Sequence, residues 1–188
     1  MNISLSLMQP FRILNRILST DFQRNTLLQV TWTLLRVVAG VCMIHNGLDK
    51  LSDIEGFSAA YVEVIGLPFP IFFSYVAAFT ELLASPLLAI GLLTRPAALG
   101  LLGTMLVAIY HHILVAGFNI PYLELSAIYT SIFIFFLING AGKFSVDNLL
   151  LTWVTKMIVM RTQRRLELLE TTYTASSSDE EKAIDING

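Results

Sequence analysis

Apolar residues come in four long runs, each close to the twenty or so that a helix needs to cross about 30 Å of hydrocarbon. The first runs from about Leu27 to Leu48, the second from Phe69 to Leu93, the third from Ala97 to Phe118 and the fourth from Pro121 to Asn139. Turn residues mark the joints at Leu67-Pro68, Thr94-Arg95-Pro96, Gly117 to Pro121 and Asn139 to Gly142. Pro96 suits a first helical turn, where its missing N–H costs nothing. The second and third joints are short, so the helices they connect must be antiparallel neighbours.

Shorter patterned segments flank these runs. Leu7, Phe11, Leu14, Leu18 and Phe22 fall on one helical stripe, with Arg12, Asn15, Arg16, Ser19 and Gln23 opposite. That pattern predicts a helix lying in the membrane interface. Ser52 to Gly66 reads as a short helix in the first loop, with Ser52 and Glu55 as a capping box and Gly66-Leu67-Pro68 as its stop. Phe57, Tyr61, Val64 and Ile65 share one of its faces, so it either lies on the membrane surface or folds over the bundle; a plain connecting helix is the simpler alternative. Phe144 to Glu170 is a further interfacial candidate, and from Thr171 the polar composition predicts disorder.

These elements predict an all-α membrane protein. Residues 1–26 form an amphipathic cytoplasmic segment, 27–142 a bundle of four transmembrane helices, 143–170 an interfacial helix and 171–188 a disordered tail. Composition agrees. The 188 residues are 55% hydrophobic and only 14% charged, with mean hydropathy +0.68, whereas a water-soluble domain is about 25% charged. So short and apolar a chain lacks the polar surface to cover its interior in water. No cleavable signal peptide is expected in the first 27 residues, and the first span serves as its own insertion signal.

Net charge is −2 and says little, but the placement of charge says more. With four spans, Arg12, Arg16, Arg24, Arg95, Lys143, Lys156, Arg161, Arg164, Arg165 and Lys182 share one side, and only Lys50 lies on the other, beside Asp49, Asp53, Glu55 and Glu63. Basic residues stay cytoplasmic, so both termini are expected there, in a plasma (inner) membrane or an internal bacterial one. A fifth span near Trp153 would put the Arg161–Arg165 cluster outside and is not expected.

Charge within a span costs about 3 kcal/mol or more and therefore faces a partner. Counting helical rise, Arg36 lies roughly 20 Å and Glu81 about 18 Å below the outer ends of their helices. Arg36 shares a face with Gly40, Met43, Gly47 and Lys50; Glu81 shares one with Ser74, Ala77, Ser85 and Leu88. Small residues let helices approach closely, so an Arg36–Glu81 ion pair is expected. It would either lock two helices or place Glu81 to move a proton or bind a polar headgroup. Nearer the outer surface lie His45, Asn46, His111, His112 and Glu124, which could relay protons or hydrogen-bond a quinone carbonyl, or simply meet water and headgroups. His45 is about 180° around its helix from Arg36 at ~100° per residue, and no histidine spacing typical of a metal site occurs, so no metal is expected. The candidate catalytic residues are Glu81, Arg36, His111 and His112. The candidate ligand contacts are His45, Glu124 and Lys50.

The remaining features exclude more than they assign. Trp32, Trp153, Tyr110 and Tyr122 fall near expected interfaces, as aromatic belts do, and Phe133, Phe135 and Phe136 read as packing. Cys42 is the one cysteine and reads as a buried structural thiol. It leaves no intramolecular disulfide and no CxxC motif. Nucleotide-binding glycine motifs, a P-loop, a nucleophile elbow and a basic stripe for nucleic acid are all absent.

Several segments together resemble the DoxX family of small four-helix membrane proteins. They are LLRVVAG (Leu34–Gly40), HNGLDKL (His45–Leu51), VIGLPFP (Val64–Pro70), ELLASPLLAIGLLTRPAA (Glu81–Ala98), His111-His112 and NGAGKFSVDNLL (Asn139–Leu150). The resemblance covers about Leu34 to Leu150 and places Arg36, Glu81, Arg95 and Asp147 in the matching segments. Members are similar to the small membrane subunit of a thiosulfate:quinone oxidoreductase; others belong to membrane oxidoreductase assemblies, and distant relatives act as cargo receptors or assembly chaperones. The resemblance therefore implies a membrane subunit or anchor of an oxidoreductase system with protein partners; quinone is a candidate cofactor, membrane lipid surrounds the helices, and a homodimer is a candidate assembly. The lone Cys42 departs from any dithiol-based relative. A non-catalytic scaffold or assembly factor is the alternative, and a small transporter a third.

Overall fold

The computed structural model describes residues 26–186, all of them in helices or the turns between them. The expected amphipathic N-terminal segment lies outside the described residues. Helix α1 is Thr26–Ser52, α2 is Ile54–Phe57, a π-helical turn covers Ser58–Val62, α3 is Pro70–Ile90, α4 is Thr94–Ala116, α5 is Ile120–Asn139 and α6 is Val146–Ile186. Helices α1, α3, α4 and α5 are each long and apolar enough to cross a membrane. With the large hydrophobics exposed along all four, from Leu34 and Val41 to Phe79, Leu106 and Ile134, the chain is a multi-pass membrane protein whose solvent is lipid.

The bundle is built from two helix pairs. α1 packs most extensively on α3 and α4 on α5, and α3 against α4 joins the pairs. Small residues set the closest approach. A Cβ at Gly40 would stand 2.8 Å from both the Ser85 carbonyl and the Ala89 side chain, and one at Gly47 would stand 3.1 Å from the Leu82 nitrogen. Gly40 thus lies over Ser85 and Ala89, and Gly47 over Ala78 and Leu82. Those two contacts fix the antiparallel register of the pair. Along α1 the buried positions are Gln29, Trp32, Arg36, Ala39, Gly40, Met43 and Gly47, the three-to-four spacing of one helix face. The core is Trp32, Met43, Leu88, Ala97, Ala98, Leu101, Met105, Phe133 and Phe136.

For orientation within the bundle, the end bearing the Ser58–Val62 turn is called distal and the end bearing Thr26 and Val146 proximal. The proximal end is closed by polar groups. Arg36 is 2% exposed and its guanidinium donates to three backbone carbonyls: Ala89 at 3.2 Å, Phe144 at 2.7 Å and Ala141. Asp147, also buried, accepts from the backbone N–H of Leu93 at 2.7 Å and of Thr94 at 3.0 Å. It thereby caps the first turn of α4, while its own N–H donates to Gly91 at 2.8 Å. Leu93 needs that help, because it holds a left-handed φ of 49° that costs a residue with a Cβ about 1 kcal/mol or more. Gly91 has φ 73°, and a Cβ there would stand 2.6 Å from Arg36 Nη1, so both conformation and space demand glycine. Trp32 donates to the Gly140 carbonyl at 3.2 Å, and Gln29 accepts the Lys143 N–H at 2.6 Å.

The structure departs from the sequence reading at several places. The Arg36–Glu81 pair does not form, because the Gly40 and Gly47 contacts set Arg36 opposite Gly91 and not opposite Glu81. Trp32 is buried and bonded to the Gly140 carbonyl within the bundle, so its ring does not face lipid as an aromatic-belt residue would. Cys42 is exposed on α1. Ser52 does not start the loop helix: its hydroxyl donates back to Asp49 at 2.7 Å, and Asp53 caps instead, accepting from Gly56 N–H at 2.9 Å.

The contacts divide the chain after Leu149. The second unit, from Leu150, is a single helix as far as Ile186, so the stretch from Thr171 is helical where composition predicts disorder. Within it the apolar run around Trp153 to Met160 precedes the basic cluster Arg161, Arg164 and Arg165. Character is sorted along the axis more than around it, and the expected amphipathic stripe is weak.

Candidate functional site

A cavity of about 780 Å3 opens in the distal half of the bundle. Asn46 and Lys50 of α1 border it, with Phe57 and Tyr61 of the loop, Glu81 of α3, Thr104, His111 and His112 of α4, and Ser126 and Tyr129 of α5. The loop helix folds over the bundle to form part of its wall, one of the two placements open from sequence. Most of the lining is apolar or aromatic, with a few polar groups converging, the usual make-up of a small-molecule site.

Glu81 is the deepest charge, fully buried on α3. Lys50 reaches down from the last turns of α1 and places Nζ 2.5 Å from Glu81 Oε2. The same ammonium lies 5.4 Å from the centre of the Phe57 ring, a cation–π distance. One carboxylate oxygen is therefore held by charge, and the other is not: Oε1 is buried with no hydrogen bond to the protein. The Thr104 hydroxyl lies next to the carboxylate but donates to the Leu101 carbonyl at 2.9 Å. Ser85, a turn along α3, donates to the Glu81 backbone carbonyl.

The second polar group is His111, 7% exposed. Its Nε2 is 2.9 Å from the Ala60 carbonyl. A carbonyl only accepts, so Nε2 carries the proton, and in the neutral ring Nδ1 presents a lone pair. That Nδ1 is buried without a partner. Tyr61 covers the imidazole at 4.4 Å between ring centres, and the His112 ring is 5.4 Å away.

The candidates read from sequence thus separate. Glu81, Lys50, His111 and His112 meet at one cavity. Arg36 belongs to the proximal clasp. His45 points outward, its side chain 76% exposed and 3.4 Å from Asp49. Glu124 is exposed on α5 and does not line the cavity. Tyr61, Thr104, Ser126 and Tyr129 were not picked out as site residues by sequence; the cues were the shared apolar face of the loop helix for Tyr61, and helical spacing shared with His111 or with the buried face of α5 for the others. No group of three metal-ligating side chains occurs among the described residues.

A second groove, about 600 Å3, runs along the outer side of α3 and α4 toward the proximal end. It is lined by Phe72, Phe79, Leu83 and Leu87 among others, and it shares Val76, Thr80 and Gly100 with the cavity. The two helices come close at those shared residues, where a Cβ on Gly100 would meet Thr80 at 3.2 Å.

The model of the DoxX family matches residues 31–116. The match starts inside α1 and ends with α4, so it takes in Arg36, Lys50, Glu81, His111 and His112 but stops short of α5 and Asp147. No curated protein and no solved structure matches the chain.

Proposed function

With a DoxX domain over residues 31–116 as the premise, we propose that this multi-pass membrane protein is the membrane subunit of an oxidoreductase system and binds a quinone-class ligand in the distal cavity. The observation that carries the reading is the pairing of an aromatic-walled cavity of about 780 Å3 with two buried, unpartnered polar atoms, Glu81 Oε1 and His111 Nδ1. A lipid-soluble ring needs that combination: apolar walls for its body and a few fixed polar groups for its oxygens. The groove that continues from Val76, Thr80 and Gly100 along α3 and α4 suits an apolar tail lying against lipid.

The roles divide accordingly. Lys50 pairs with Glu81 and orients it, and Phe57 steadies Lys50. Glu81 and His111 meet the ring oxygens, with Tyr61 and Tyr129 as walls. The sequence has one cysteine and no nucleotide-binding motif, so electrons come from a partner protein in this reading. The positive-inside rule places the proximal end, with Arg95 and Lys143, at the cytoplasmic face and the cavity toward the opposite one.

The test is thermal unfolding of the purified protein with short-chain p-hydroquinones, kept reduced by excluding oxygen. A ligand at about 100 times its dissociation constant adds about 2.7 kcal/mol, so the wild-type midpoint is expected to rise by about 4 °C or more, and Glu81→Gln is expected to lose that rise. No rise in wild type, or an equal rise in Glu81→Gln, contradicts the reading. The scaffold alternative is favoured by one feature, the basic helical segment after Leu150. It predicts no rise with any analogue and partner capture that depends on residues 150–188.

A further inference from the structure

We infer that the distal cavity selects the reduced, dihydroxylated form of its ligand over the oxidised dione; this rests on the quinone-class reading of the site above. The protein leaves two hydrogen-bonding atoms open at the cavity, and both are acceptors. Glu81 is ion-paired to Lys50 through Oε2, and an ionised carboxylate only accepts hydrogen bonds. Its open oxygen, Oε1, is thus an acceptor. His111 spends its N–H on the Ala60 carbonyl, so its open Nδ1 is an acceptor as well. The one cationic side chain lining the cavity, Lys50, already points its ammonium at Glu81. A dione brings two further acceptors and finds no partner for them at either place. A hydroquinone brings two O–H donors and satisfies both.

The two open acceptors lie at different depths of the cavity. Thr104 lies beside Glu81 on α4, and His111 follows seven residues later on the same helix. Seven residues rise about 10.5 Å and return to within about 20° of the same face, so both levels of α4 face the same cavity.

The distinction has a thermodynamic reason. A buried acceptor left unpaired costs about 1–3 kcal/mol and more when charged, so each donor on the ligand is worth about a tenfold gain in affinity or more.

The experiment compares four ligands of one ring and size on the wild-type protein in lipid nanodiscs, without oxygen: a short-chain alkylated p-hydroquinone, its mono-O-methyl ether, its di-O-methyl ether and the matching quinone. Affinity is expected to fall about tenfold at the first methylation and about tenfold again at the second, with the quinone as weak as the diether. In His111→Phe the step between hydroquinone and monoether is expected to shrink to within twofold, because one acceptor is gone. Should that variant fail to fold, the wild-type series decides alone. All four ligands binding wild type with equal affinity overturns the preference while leaving the quinone-class site standing. No binding by any of the four overturns the site itself, and the preference with it.

Discussion

Arg36→Met is expected to leave little folded protein. Arg36 is almost fully enclosed, and its planar head ties together the last turn of α3 at Ala89 with the segment between α5 and α6 at Ala141 and Phe144. Methionine keeps much of the volume and donates nothing, so up to three carbonyls lose their partner together. Each orphaned buried carbonyl costs about 1–3 kcal/mol, so losing all three costs on the order of 3–9 kcal/mol. Whole domains are stable by only about 5–15 kcal/mol. Arg36→Lys is expected to recover at most half, because a single ammonium cannot reproduce the guanidinium fork. Heating followed by size-exclusion chromatography reads the result. An Arg36→Met midpoint within a degree or two of wild type would falsify the clasp as a structural element.

Lys50→Met is expected to be worse than losing the ion pair altogether. Glu81 would then be buried and charged with no partner, a situation that costs about 3–5 kcal/mol when one member of a buried pair is removed. Replacing both members with uncharged groups of similar volume is often close to neutral, so Lys50→Met/Glu81→Gln should regain most of the wild-type midpoint. The double variant also separates structure from function: it should be stable and yet fail to respond to quinone-class ligands. A double variant as unstable as Lys50→Met alone would show that the two residues do not depend on each other. A double variant that binds as wild type does would remove Glu81 from the site.

Much of the architecture was legible because a lipid-embedded helix has few ways to be written. The four apolar runs lie within a few residues of α1, α3, α4 and α5, and the α1 face carrying Arg36, Gly40, Met43 and Gly47 is the buried one. Pair register was not legible. Counting rise from each helix end put Arg36 level with Glu81, on the assumption that the ends are flush. Instead α1 extends to Ser52, and the fit of Gly40 over Ser85 and Ala89 places Arg36 about ten residues along α3 from Glu81. The face was periodic information and survived; the offset was set by where two backbones can approach, which one sequence read alone does not order. Asp147 was opaque for a related reason. It looks like a first-turn acid of α6 but caps α4, more than fifty residues earlier in the chain. Of the site, Glu81, Lys50, His111 and His112 stood out as polar groups in apolar runs. Tyr61 and Tyr129 did not, because aromatic residues are common in every span.

Everything proposed for the site requires a lipid-soluble ring in the distal cavity. Gly103 gives direct access to it: the residue lines the cavity, and a Cβ there would meet nothing within 4 Å, so Gly103→Leu should fill the space without straining the bundle. The deciding measurement is native mass spectrometry of the protein extracted from its membrane in mild detergent. Wild type should retain one quinone-class lipid per chain and Gly103→Leu none, with both unfolding at similar temperatures. A wild-type protein that carries no such lipid, or a Gly103→Leu variant that carries as much of it as wild type, would contradict the claim.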